Sequence, residues 1–497
     1  MTRYILSIDQ GTTSTRAFLF TLDGQIATIC RRPLDLITPK PGWVEQDADQ
    51  IIDDTLNVIQ NVMDQGGIAP DQVIGIGITN QRETTIAWDK TTGKPIYNAI
   101  VWQDRRTTDF CQTLTNDGHG PMIRDKTGLR PDPYFSATKI RWILNHVDVA
   151  RDLANAGDLA VGTVDSWLHH KLTGGAAGHL TDITNASRTM LFNIHDLTWD
   201  NELSALFDIP LSCLPDVCPN THDYGMTDPD ITGFKLPIRS IIGDQQSALI
   251  GQSCITPGMV KSTYGTGCFA LIHTGDTPVF SEHDLLTTIA AQIGGHTTYA
   301  IEGAIFNAGS AVQFLRDNLG LIDHAADSEV AATQVDDNGG VYFIPALTGL
   351  GAPHWQPSAT GMITGLTRGV NKNHIIRATL EAQAYQTYDL LDAMMTDSAQ
   401  EIDVLRLDGG MVENDFVCQF LADILNIPVD RPNNLETTAL GAARLAAIQA
   451  SELTLDDLEV DDPLEHRFEP NMEAAIRDQY LSGWGSAMEQ VKTGKGT

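Results

Sequence analysis

Two carboxylates, Asp9 and Asp244, each end an apolar, strand-like run, and each is followed by a polar turn. After Asp9 come Gln10, one glycine, four hydroxyl side chains (Thr12, Thr13, Ser14, Thr15) and Arg16, and then a second apolar run over 17–20. Closely spaced backbone N–H groups, hydroxyl donors and one cation suit a polyphosphate, and the carboxylate suits a Mg2+ ion that travels with it. The same residues also make an ordinary polar β-hairpin. Asp244 is followed by Gln245 and Gln246. It could take a proton from a hydroxyl in phosphoryl transfer, or it could cap a helix that starts at Gln245. Arg82 and Glu83 pair a donor with an acceptor at the end of another buried-type run, 73–79, and so suit vicinal hydroxyls. By spacing alone a surface ion pair describes them better. Trp102, Tyr134 and Phe269 could wall the carbons of a small polyol, although such residues are more often core. The turn at 264–267 (Tyr-Gly-Thr-Gly) could face a nucleotide or be a plain tight turn.

Strands and helices must carry these groups. The first hairpin leads to a third strand over 26–29. A helix capped by Asp47 follows, with Ile51, Ile52, Leu56, Ile59 and Val62 at helical spacing, and then the strand 73–79. This order predicts an α/β protein with functional groups gathered at strand ends. Residues 100–235 read as an insertion that shapes a pocket, with a helix near 136–146. The strand 238–242 then leads into Asp244, and the run 259–263, the small-residue turn and a strand over 269–272 echo the amino-terminal hairpin. The echo predicts two related halves meeting at a cleft, residues 1–250 and 251–497. A long helix is expected over 375–395, a strand over 405–407, a helix from about Asn414 and a small-residue helix over 437–450. The last dozen residues are expected to fray.

A chain of 497 residues exceeds what one core supports, in keeping with two halves. Its formal charge of −32, spread along the chain, argues against nucleic acid and anionic membranes as partners. Seven cysteines without a C-x-x-C pair fit neither a zinc site nor a disulfide framework. No apolar run has the length of a signal-peptide core or a membrane span, so a cytoplasmic protein without membrane insertion is expected. There is no P-loop: Gly93-Lys94 and Gly494-Lys495 are followed by Pro and Gly. If a nucleotide binds, it does so between hairpins.

Residues 134–146 (YFSATKIRWILNH) and 361–366 (GMITGL) with 374–381 (HIIRATLE) resemble the two signatures of the FGGY carbohydrate kinases. Within that family, DQGTTSTR from Asp9, ITNQRETT from Ile78, NAIVWQDRR from Asn98, TNASRTMLFNIH from Thr184, GDQQSALIGQ from Gly243, STYGTGCF from Ser262 and LTGLGAPHW from Leu347 resemble its glycerol-phosphorylating branch. The resemblance runs from Tyr4 to about residue 470. It implies two related actin-like ATPase (ribonuclease H-like) domains with ATP and substrate in the cleft, and ATP-dependent phosphorylation of glycerol to sn-glycerol 3-phosphate. It implies further that Arg82, Glu83, Tyr134, Asp244 and Gln245 hold glycerol's hydroxyls, that Trp102 and Phe269 flank its carbons, and that Asp244 is the general base. Thr12, Thr13, Ser14 and Arg16 would form the phosphate hairpin, Asp9 would lie near Mg2+, and Thr266, Gly309, Gln313, Gly410 and Asn414 would contact the nucleotide. A homo-oligomer, dimer or tetramer, is implied as well. Another polyol or sugar as substrate, or a nucleotide-driven scaffold of the same fold, are the competing readings. Some members of this branch are inhibited by fructose 1,6-bisphosphate at a Gly-Gly-Thr-Arg loop, and others are activated by phosphorylation of a histidine in a neighbouring loop. Here residues 228–237 contain no arginine and Asp230 stands about where that histidine falls, so insensitivity to both signals is expected.

Overall fold

The computed structural model of the protein describes residues 2–356, 358–458 and 464–493. Two mixed sheets organise it. The first has the order Ile238–Gly243, Val73–Asn80, Tyr4–Gln10, Ser14–Thr21, Ile26–Pro33. The first three strands in that order are parallel, and the last two add as antiparallel neighbours. The second sheet runs Leu286–Ile293, His296–Ile305, Cys268–Gly275, Val260–Tyr264, Leu405–Asp408, Val429–Pro432, Leu464–Phe468. Without its two outermost strands it repeats the first: three antiparallel strands joined to two parallel ones. The sequence echo is therefore a repeat of topology.

The central strand Tyr4–Gln10 reads as a nearly continuous apolar run because both faces of its sheet are covered. On one face lies the helix Ala48–Gly66, whose N-cap Asp47 accepts from the amides of Asp49 and Gln50 as its sequence predicts. Ile51, Ile52, Ile59 and Val62 are buried beneath it. On the other face lies the small-residue helix Thr437–Gln449, which also packs on the helix Asp244–Gly251. Only small residues allow that approach: a Cβ on Gly441 would sit 1.9 Å from the Ser247 carbonyl oxygen, and one on Gly251 1.9 Å from that of Thr437.

The middle region forms its own core from Phe135, Ile140, Ile143, Met190 and Leu203, into which Leu286 of the second sheet also packs. Its short helix Ile183–Ala186 lies against the strand Ile238–Gly243 of the first sheet, so the region touches both sheets, which suits a pocket wall. At the carboxyl end the expected fraying does not extend to 486–493, which belong to the helix Ala474–Thr493. Trp484, Ala487 and Met488 are buried in the second core, and Trp484 Nε1 donates to Asp389 at 2.9 Å, so this face is tied down. Residues 494–497, which include Gly494-Lys495, lie outside the described residues. All seven cysteines are buried free thiols. Among the described residues no helix is long and apolar enough to cross a membrane.

Candidate active site

Asp244 opens the helix Asp244–Gly251, and the N-cap is Gly243, with no side-chain cap bond. The helix-cap reading of Asp244 is therefore corrected. Its side chain remains 28% open and turns to Arg82, whose Nε lies 3.1 Å from Oδ1, while the Gln245 amide donates to the same oxygen at 2.7 Å. Burial pushes its carboxyl up to about 6. Arg82 opposes that shift and Glu83 adds to it. From below, the Gly243 amide donates to Thr184 Oγ1 at 2.9 Å, and that hydroxyl donates in turn to buried Asp182.

Arg82 and Glu83 are not a surface pair either. Both are buried, and their closest approach is 4.0 Å. Arg82 forks onto Glu302, with Nη1 at 2.5 Å and Nη2 at 3.2 Å, and Nη1 also donates to Gln246 Oε1 at 3.1 Å. Glu83 accepts from Arg188 Nε at 2.6 Å. Its backbone sits at φ 60°, in the left-handed region that a glutamate seldom adopts. Ser136 Oγ and Thr85 Oγ1, each donating to its carbonyl at 3.0 Å, hold it there. Gln245 Oε1 accepts from the buried Lys261 Nζ at 2.5 Å.

Trp102, Tyr134 and Phe269 are half-buried and face one another: Trp102 lies edge-on to Tyr134 at 5.5 Å and to Phe269 at 6.3 Å between ring centroids. Buried Lys139 pins this wall by donating to the Tyr134 and Phe135 carbonyls. Trp102 also joins the wall to the amino-terminal turn, since its Nε1 donates to Thr12 Oγ1 at 2.9 Å. Gln46 donates to the Thr12 carbonyl at 2.6 Å, and the Gly11 amide closes the turn on Ser14 at 2.9 Å. Thr13 is exposed at the tip and Ser14 buried. Asp9 and Arg16 face each other across the hairpin register and form an ion pair, and Arg16 pairs also with Glu436. The guanidinium read as a phosphate cation is thus shared by two carboxylates.

In the second sheet, Thr266 lies exposed between the strands Val260–Tyr264 and Cys268–Gly275. The helix Gly309–Gln313 packs directly on this turn: the Gly309 amide donates to Gly265 and the Ser310 amide to Thr266, each at 3.0 Å. A Cβ on Gly309 would meet the Gly265 carbonyl oxygen at 2.6 Å, whereas one on Gly410 would meet nothing within 4 Å. Gln313 is exposed. Asn414 caps the helix Asp415–Leu425, accepting from the Val417 amide at 3.1 Å, so its carbonyl is engaged in structure.

Glu302, Arg188, Lys261 and Lys139 were not singled out by sequence reasoning. The signal for Glu302 was a lone acid inside the strand run of 299–305; Arg188 and Lys139 lie within resembling stretches but had no role of their own.

Comparison with known proteins gives a consistent result. The amino-terminal domain of the FGGY family of carbohydrate kinases matches residues 4–251, and its carboxyl-terminal domain matches 260–450. The chain is 51% identical to a glycerol kinase of Bacillus thuringiensis (strain Al Hakam) over 497 residues, all of both chains. It is 52% identical to one of Xanthomonas campestris pv. campestris over 489 residues, 98% of each. Among solved structures, a Plasmodium falciparum glycerol kinase with ADP superposes with a TM-score of 0.92 at 36% identity, over 99% of this chain and 98% of that one. A Lactobacillus acidophilus gluconate kinase shares the fold, with a TM-score of 0.89 at 23% identity over 99% of each chain.

Proposed function

This chain belongs to the FGGY family of carbohydrate kinases, and from that premise we propose how its cleft works. The protein is an ATP-using kinase that phosphorylates glycerol, forming sn-glycerol 3-phosphate. Asp244 takes the proton of the terminal hydroxyl while that oxygen bonds to the γ-phosphorus of ATP and the bond to ADP breaks. Arg82, Glu83, Tyr134 and Gln245 hold the hydroxyls, and Trp102 and Phe269 flank the carbons. Thr12, Thr13, Ser14 and Arg16 receive the phosphates. Thr266, Gly309, Gln313, Gly410 and Asn414 receive the rest of the nucleotide. The observation that carries this reading is Asp244 itself: a partly open carboxylate, raised to about 6 by burial and 3.1 Å from Arg82.

Asp9 is one hard carboxylate beside a hydroxyl turn, and no group of three metal-ligating side chains exists among the described residues. That donor set fits Mg2+ held mainly by phosphates and water, with Asp9 as its protein contact. When bound, the ion would offset phosphate charge. The division into residues 1–250 and 251–497 is supported by the repeated sheet topology. Seven buried thiols favour a reducing cytoplasm. Exposed Ile26 and Ile29 on the outer strand of the first sheet favour a homo-oligomer, dimer or tetramer. Insensitivity to fructose 1,6-bisphosphate and to histidine phosphorylation is supported at 228–237, where Asp228 is spent on capping the short helix Pro229–Thr232.

The test is a coupled assay of ADP release over a panel of polyols and sugars. Glycerol should give the highest kcat/KM. A preference for xylulose or gluconate would reassign the substrate, and ADP release unaffected by every member would leave only the scaffold reading.

A further inference from the structure

Glu302 is fully buried on the strand His296–Ile305 of the second sheet, opposite Leu271 on one neighbour and Leu286 on the other. A carboxylate in such a place is strongly disfavoured unless cations and hydrogen bonds meet it. Two guanidiniums from the amino-terminal half do so. Arg82 forks onto both oxygens, and Arg188 Nη2 donates to Oε1 at 2.8 Å. Burial works against the charge, but Arg188 and Arg82 outweigh it and hold the carboxyl down to about 2. Glu302 is thus favoured as the anion by the two guanidiniums that meet it.

Each arginine has a second edge, and both edges lead to the pocket. Arg82 Nε faces Asp244 at 3.1 Å, and Arg188 Nε donates to Glu83 at 2.6 Å. Because a guanidinium is a rigid planar fork, the two bonds from Glu302 fix the direction of the Arg82 Nε–H. Arg188, held by Glu302 at Nη2 alone and with its buried Nη1 unpartnered, is set between Glu302 and Glu83. The two carboxylates read as proton acceptor and hydroxyl acceptor are therefore aimed through one residue that belongs to the other half of the molecule.

We infer that Glu302 is a positioning residue for the polyol: from the second sheet it orients Arg82 and Arg188, and through them Asp244 and Glu83. It ties the arrangement of the substrate pocket to the seating of the two halves against each other. This role rests on the kinase reading above, so the wild-type enzyme is assayed first. Absence of glycerol-dependent ADP release there would sink that reading rather than this one.

The variant Glu302→Gln keeps shape and removes charge. The charged groups facing Asp244 are Arg82, Glu83 and Lys261, and those facing Glu302 are Arg188, Arg82 and Lys261. With Glu302 neutral, the surroundings of Asp244 become more positive, and its proton is lost more readily. The KM for glycerol should rise ~10-fold or more while the KM for ATP stays within about twofold, and the acid limb of kcat/KM should move to lower pH by roughly one unit. A folded variant with wild-type KM for glycerol and an unmoved limb would overturn the inference. So would a parallel rise of both KM values with an unmoved limb, the mark of a merely structural residue. If Glu302→Gln does not accumulate folded, Arg188→Lys carries the test, because it keeps the charge but cannot reach Glu83 and Glu302 together. The same selective rise in KM for glycerol is expected, and an unchanged value overturns the proposal.

Discussion

On the proposed substrate side of the cleft, Arg82, Glu83, Arg188 and Glu302 are buried and fixed by one another's charge. On the proposed nucleotide side, Thr266 and Gly410 are exposed, with open space at Gly410, while Gly309 packs closely on the turn that carries Thr266. The contrast follows from what each ligand needs. A three-carbon polyol has few atoms, so recognition must come from precise, desolvated polar groups, which in turn need partners of their own. A nucleotide is large and charged, and amide-lined turns at strand and helix ends suffice for it. Changes on the first side should therefore be severe and felt by glycerol, and changes on the second mild and felt by ATP.

The largest break of that contrast is expected from Arg82→Met, which leaves buried Glu302 with one guanidinium and Asp244 with none. The kcat/KM for glycerol should fall ~10²- to 10³-fold, the scale of losing one partner of a buried ion pair. Steady-state kinetics on a folded variant measures it, and a loss below tenfold would mean that the cluster only supports the fold.

Acid comes next. Asp244 accepts a proton only when ionised, and its carboxyl is raised to about 6 by burial. Activity is thus present above that pH and lost below it, with kcat/KM falling about tenfold per unit under pH ~6. A limb near 4, as for an open aspartate, would contradict the geometry around it.

Gly410→Ala sharpens the other side. The protein has room for the methyl, so the thermal midpoint should stay put, while the KM for ATP rises about three- to tenfold because the methyl enters the nucleotide's space. A rise in the KM for glycerol instead would reverse the assignment of the two sides. The smallest effect is global. With a charge of −32, molar KCl should screen self-repulsion and raise the unfolding midpoint by a few degrees over dilute buffer.

The two kinds of site also differed in how far the sequence revealed them. Strand ends were legible because apolar runs stop at Asp9, Arg82 and Asp244, and helix starts were legible from Asp47 and Asn414. The small-residue helix over 437–450 was legible as well, and its close crossing is made by Gly441 and Gly251. What could not be read was pairing across the chain. Arg82 and Glu83 are adjacent in sequence, so a mutual ion pair was the natural expectation, yet each is held by a residue more than 100 positions away. The terminal helix was missed for a similar reason: its order comes from Trp484 and Met488 entering a distant core, not from local signals.

The central claim is that Asp244 is the proton acceptor of a pocket built to hold glycerol. It is tested most directly by measuring kcat and the dissociation constant for glycerol on Asp244→Asn. The amide keeps the shape and part of the hydrogen bonding but cannot take the proton. The account predicts near-normal glycerol binding with kcat lowered ~10²-fold or more. A kcat within a few-fold of wild type would contradict it.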